Sequence, residues 1–97
     1  MKERPVVFAI EAQTDLVAIH DYIAERAGTV IALGYVERIE AFCLGLGDGS
    51  ERGTRRENLG MGVRTIGFER RATVAFTIDV NRVTILRIYY GGRGIDR

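Results

Sequence analysis

One cysteine, one histidine, one serine and one lysine occur in 97 residues, and no apolar run is long. Each scarcity excludes something. The single cysteine, Cys43, leaves no intramolecular disulfide framework and fits a reducing compartment, so a cytoplasmic protein is expected. The single serine, Ser50, lies in a glycine-rich stretch with no histidine nearby, which argues against a Ser–His–Asp triad. His20 and Cys43 fall on separate helical segments and form no metal-ligand pattern, so no metal is expected. The apolar stretches are far too short to span a bilayer, and only six residues separate Arg4 from Glu11. Neither a signal peptide nor a membrane partner is expected. Glycines at 60, 62 and 67, or at 91, 92 and 94, lack the strand–loop–helix setting of a phosphate loop, and no cofactor is expected.

Arginine, by contrast, is abundant. The net charge of +1 hides two blocks of opposite sign. Residues 1–51 hold four basic and nine acidic side chains, and residues 52–97 hold ten arginines against four acids. Such a block points to a polar partner on the basic half, and arginine grips carboxylate or phosphate through two parallel hydrogen bonds. An apolar content of 46% suffices for one core, so residues 1–97 read as one domain.

Pattern along the chain supplies the order. Pro5 to Glu11 reads as a strand. Thr14 is the expected N-cap of a helix carrying Leu16, Ile19, Ile23 and Ala27, which stops at Gly28. A second helix runs from about Thr29 to Leu46, with Ala32, Val36, Ile39, Cys43 and Leu46 on its buried stripe. Joined at Gly28–Thr29, the two must fold into an antiparallel hairpin, and Gly34 is expected to let the backbones approach closely. Residues 45–62 read as a crossing loop. Residues 63–68, 72–78 and 83–90 read as three strands joined by hairpin-length turns. The expected fold is α+β, in the order β-α-α-β-β-β, with the helical hairpin on a three- to four-stranded antiparallel sheet. In the last strand Leu86 and Ile88 are expected to face the core, while Arg87 and Tyr89 point away from the hairpin. His20 and Asp21, being helix neighbours, are not expected to meet.

Three stretches resemble the ParE/RelE superfamily of bacterial toxin–antitoxin toxins: IEAQTDLVAIHDYIAERAG, GTRRENLGMGVRTIGF and ILRIYYGGRGID. The ParE branch is the better match, because the hairpin is long and Arg56 to Arg64 carries R-x-x-L-G-x-G-x-R. The chain departs from the family at Tyr90, where histidine is frequent, and at Gly94, where aspartate is frequent. The resemblance implies a toxin that poisons DNA gyrase without catalysis and forms a hetero-oligomer with a ParD-like antitoxin. Candidate target-binding residues are then Arg55, Arg56, Arg64, Arg87, Tyr90, Arg93 and Arg97. The alternative is a RelE-like, metal-independent mRNA endonuclease, for which Glu57, Arg64, Tyr89 and Tyr90 would supply acid–base chemistry and phosphate stabilisation.

Overall fold

The computed structural model describes residues 3–48 and 51–91. Strand β1 (Val6–Phe8) leads directly into helices α1 (Ile10–Ala27) and α2 (Thr29–Leu44). Strands β2 (Thr54–Arg55), β3 (Arg64–Phe68), β4 (Ala72–Ile78) and β5 (Val83–Tyr90) follow. They form one sheet in the order β1-β5-β4-β3-β2. The β2 to β5 pairings are antiparallel and β1 runs parallel to β5, so the expected α+β architecture is completed as a five-stranded mixed sheet. No helix among the described residues is long and apolar enough to cross a membrane.

The helical hairpin covers one face of this sheet because both helices carry a buried stripe. Ala12, Leu16, Ile19 and Ile23 of α1 meet Ala32, Tyr35, Ile39 and Cys43 of α2 over Val74, Phe76, Val83, Ile85 and Ile88. One residue serves both helices. Gly28 ends α1 at φ 95°, a region L side chains avoid, and donates its N–H to Ala24 O (2.9 Å). Cys43 is fully buried, and burial pushes its thiol up to about 12, so it packs as a small apolar group. Gly34 does not serve close approach, since an added Cβ there would meet only Arg38 Nη1 at 3.8 Å.

Three boundaries differ from the sequence reading. Helix α1 begins at Ile10, with the uncapped Ala9 as its N-cap residue, so Thr14 lies inside the helix. The cause is tertiary: Ala9 N–H donates to Ile85 O (2.9 Å), and Gln13 Nε2 donates to Phe8 O (3.0 Å), pinning the strand-to-helix corner early. Helix α2 gives way at Gly45–Gly47 to a single 3₁₀ turn that buries Leu46. The crossing loop also contains β2 and a 3₁₀ turn at Glu57–Leu59.

The largest correction concerns β5. Ala75 pairs with Arg87 but Phe76 pairs with Ile85, so Leu86 is an extra residue in a β-bulge. Ile85 and Ile88 both face the helices, while Leu86 turns to the opposite, open face. Strict alternation fails at that one residue.

Candidate functional site

The bulge shapes the chemistry around it. Strand β1 ends at Phe8, so beyond Ile85 no strand covers that side of β5. Asp15, on the buried stripe of α1, fills the gap. Its Oδ2 accepts from Ile88 N–H (2.8 Å) and from Arg87 Nε (2.8 Å), and its Oδ1 accepts from Arg87 Nη2 (3.0 Å). The carboxylate thus replaces the carbonyl a neighbouring strand would have offered and holds an arginine fork as well. The fork raises the pKa of Arg87 further, and Asp15 is only 15% exposed in its side chain. Arg87 therefore reaches back towards the hairpin instead of pointing away from it. The sequence held a signal for this contact: an acid spaced with Ala12, Leu16 and Ile19 on a buried stripe requires a cation.

Tyr89 and Tyr90 join Arg87 and Asp15 around one small pocket of about 170 Å³, and the other predicted residues are dispersed. Arg64 pairs with Phe76, which places it on the helix-covered face, where its side chain is 18% exposed. Its Nη1 donates to Arg52 O (3.3 Å) and its Nη2 to Glu51 Oε1 (3.0 Å), while Arg52 Nη2 donates to Gly45 O (2.8 Å). Arg55 lies exposed on β2, with Nε 3.6 Å from Glu57 Oε2. Arg56 opens a closed loop in which its N–H donates to Val63 O (2.8 Å) and Leu59 N–H donates back to Arg56 O (2.9 Å). That loop, the R-x-x-L-G-x-G-x-R segment, sets Leu59 and Val63 against the open face beside Ala75 and Leu86. Tyr90 points to the helices, edge-on to Tyr22 (5.7 Å) and Tyr35 (5.6 Å). Tyr89 takes the opposite face, with Arg87 Cζ 5.5 Å from its ring centre. Arg93 and Arg97 lie outside the described residues.

On the open face, Arg87 and Tyr89 share a shallow hollow of about 240 Å³ with Glu11, Leu59, Val63, Ala75 and Leu86. Arg64 and Tyr90 are not part of it. The hollow therefore offers one acid, one phenol and a guanidinium already held by Asp15.

A larger concavity lies on the hairpin side. A groove of about 680 Å³ runs beside β1 and between the helices, lined by Val7, Phe8, Leu16, Val17 and Val36 with Gln13, His20 and Glu40 at its polar margin. His20 Nδ1 does approach Asp21 Oδ1 (3.2 Å), contrary to the expectation from helix spacing. Ile10, Val17 and Leu33 are exposed apolar residues on the two helices, and β1 is an edge of the sheet. Helical spacing places Leu33 one turn before Val36 on the same flank of α2.

In solved structures, the fold resembles a chain of the chromosomal ParDE toxin–antitoxin system from P. aeruginosa, at a TM-score of 0.78 and 28% identity over 91% of this chain and 96% of that one. It also resembles a chain of the RelBE2 toxin–antitoxin complex from Mycobacterium tuberculosis, at 0.64 and 22% identity over 93% of each chain. A chain of the YoeB–YefM complex from Staphylococcus aureus matches at 0.55 and 17% identity, over 92% of this chain and 98% of that one. The last two likenesses concern the fold alone. Among curated proteins no sequence matches this chain. The family model described as the ParE toxin of the type II toxin–antitoxin system parDE matches residues 6–94, which is nearly the whole chain. With its hairpin on a mixed sheet and its arginine-rich crossing loop, the chain belongs to the ParE toxin family of type II toxin–antitoxin systems.

Proposed function

We propose that this toxin inhibits growth by binding and poisoning DNA gyrase, and that a ParD-like antitoxin neutralises it. One observation carries the choice over mRNA cleavage: the residues an endonuclease would need are not gathered around one phosphate. Tyr89 and Tyr90 line one small pocket with Arg87 and Asp15, but Arg64 is tied to Glu51 and Arg52 away from it, and Glu57 stands beside Arg55. General acid–base cleavage requires its groups within hydrogen-bond reach of the same reacting atoms. An endonuclease built on this chain would have to use Tyr89 with Tyr90 or with Glu11, and Arg87 is already committed to Asp15. Similarity to the ParDE chain supports the same reading.

Among the described candidate target-binding residues, Arg55 is exposed and remains a candidate for contact with gyrase or its DNA, as do Arg56 in the crossing loop and Arg93 and Arg97, which lie outside the described residues. Arg64, Arg87 and Tyr90 act through the fold that holds them. The antitoxin is assigned to the apolar groove, where the edge of β1 offers backbone pairing and Val7, Val17 and Val36 offer apolar anchorage.

Supercoiled plasmid incubated with gyrase and the purified toxin should yield trapped, cleaved DNA, while primer extension on mRNA from intoxicated cells should show no new ends. Removing residues 92–97 should abolish the gyrase effect and leave antitoxin co-purification intact. Cut mRNA with untouched gyrase would reverse the reading.

A further inference from the structure

Where β3 turns into β4, the chain retains two unfavourable features at one place. The turn Phe68–Arg71 is closed by Arg71 N–H donating to Phe68 O (3.2 Å), and both central residues are left-handed, Glu69 at φ 49° and Arg70 at φ 64°. Hairpin turns of this kind favour Asn-Gly, and a long charged side chain at either position is strained. Glu69 has a local reason to be there. Arg38 of α2 donates to its two carboxylate oxygens from Nε (2.8 Å) and Nη2 (2.9 Å). Arg70 has none: it and Arg71 are exposed, and neither side chain makes a hydrogen bond or ion pair among the described residues.

Tyr35 of α2 is the second feature. Its ring is held edge-on to Phe68 (5.8 Å) and Tyr90 (5.6 Å), the residue is 6% exposed, and its buried hydroxyl has no hydrogen-bond partner. Phenylalanine would fill the same space without an orphaned donor. The charged groups acting on this hydroxyl are Glu69, Arg38 and Arg71, with Tyr90 beside them. Burial pushes the phenol up to about 12, so at neutral pH it is a donor without an acceptor.

We propose that the β3–β4 turn is a docking site for a carboxylate on an acidic peptide segment of a protein partner, received by Arg70 and Arg71 and exchanging with Glu69 on Arg38. The Arg38–Glu69 fork already displays the chemistry the site would use. When an incoming carboxylate takes Arg38, Glu69 is released, the turn can leave its left-handed conformation, and the Tyr35 hydroxyl gains an acceptor. The strain and the orphaned donor are then properties of the empty site. A peptide suits this exchange better than a DNA duplex, whose dense charge, one phosphate per about 1.7 Å of helix axis with both strands counted, would be forced against Glu69. This site goes beyond the gyrase reading and stands whether or not that reading holds.

A fluorescein-labelled hexaglutamate peptide, titrated by anisotropy at low salt, tests it. The wild-type protein should bind saturably. Arg70→Glu with Arg71→Glu should weaken binding by about tenfold or more, and Tyr35→Phe by about threefold, with no fall in melting temperature. Glu69→Gln, which removes the competing carboxylate, should tighten it. Arg82→Glu, at the opposite end of the sheet, should change affinity less than about twofold. The proposal is overturned if Arg82→Glu weakens binding as much as the double variant, or if Tyr35→Phe binds as wild type. It also fails if a short DNA duplex binds more tightly than the peptide and loses its affinity in the same variants.

Discussion

The two ends of the sheet use the same residue type in opposite ways. At the end where β3 begins, two arginines are consumed internally while Arg55 and Arg82 stay exposed: Arg52 supports the carbonyl of Gly45, and Arg64 is held by Arg52 O and Glu51. Glycine is fixed there too, since a Cβ on Gly53 (φ 81°) would lie 2.5 Å from Thr65 O. At the end where β3 finishes, Arg70 and Arg71 are held out on a strained turn above an orphaned hydroxyl. The difference teaches that arginine count is a poor guide to a binding surface. A guanidinium that satisfies backbone carbonyls is part of the fold, whatever its charge suggests.

The contrast can be broken most severely through Asp15, which does for β5 what Arg64 does for the loop. Asp15→Ala should cost about 2–4 kcal/mol in urea unfolding, because it strips Ile88 N–H of its acceptor and releases Arg87 together. Arg87→Met should cost less, about 1 kcal/mol, since that side chain is 46% exposed and its loss leaves the Ile88 bond in place. Equal losses would mean that the backbone bond contributes nothing.

At the other end the sign should reverse. Arg70→Gly removes a left-handed side chain and should raise stability by about 1 kcal/mol. A loss of stability would show that Arg70 has a structural partner after all.

The smallest effect separates the ends by pH. The hydrogen bond from Arg38 lowers the pKa of Glu69, so its contribution is present above the ordinary carboxylate range and lost as pH falls through the lowered value. Asp79 in the β4–β5 turn is likewise held down, by the backbone N–H groups of Asn81 and Arg82. Below about pH 4, Glu69→Gln should therefore lose stability less steeply than wild type, without becoming flat while Asp79 remains. Thermal melts from pH 3 to 7, covering the ordinary carboxylate values of about 4, would check both slopes.

Legibility from sequence followed the same division between local and tertiary causes. Strands β3, β4 and β5 were readable nearly to the residue, because turn-rich breaks and β-branched runs are local signals. The start of α1 was not: Ala9 carries no capping side chain, and the corner is set by a hydrogen bond to Ile85, 76 positions away. The β5 faces were misread for a similar reason, since nothing in ILRIYY marks Leu86 as the extra residue. At the site, arginine enrichment on the second half was visible. Which arginines are engaged depends on Glu51, Asp15 and Glu69, and their contacts span 13, 72 and 31 positions. Tyr35 and Asp15 were overlooked although their spacing on helical stripes was in plain view.

Leu86 makes β5 a strand read in two frames. From Val83 to Ile85 the odd positions face the helices; from Ile88 onward the even ones do. Deleting Leu86 would merge the frames and leave every other side chain of the strand on its present face. What such a deletion would remove is the local turn of the backbone that brings Ile88 N–H to Asp15. In this strand a change of length, more than any substitution, separates core packing from edge protection: the interior would survive it, and the flank that β1 leaves bare would open to whatever strand came next.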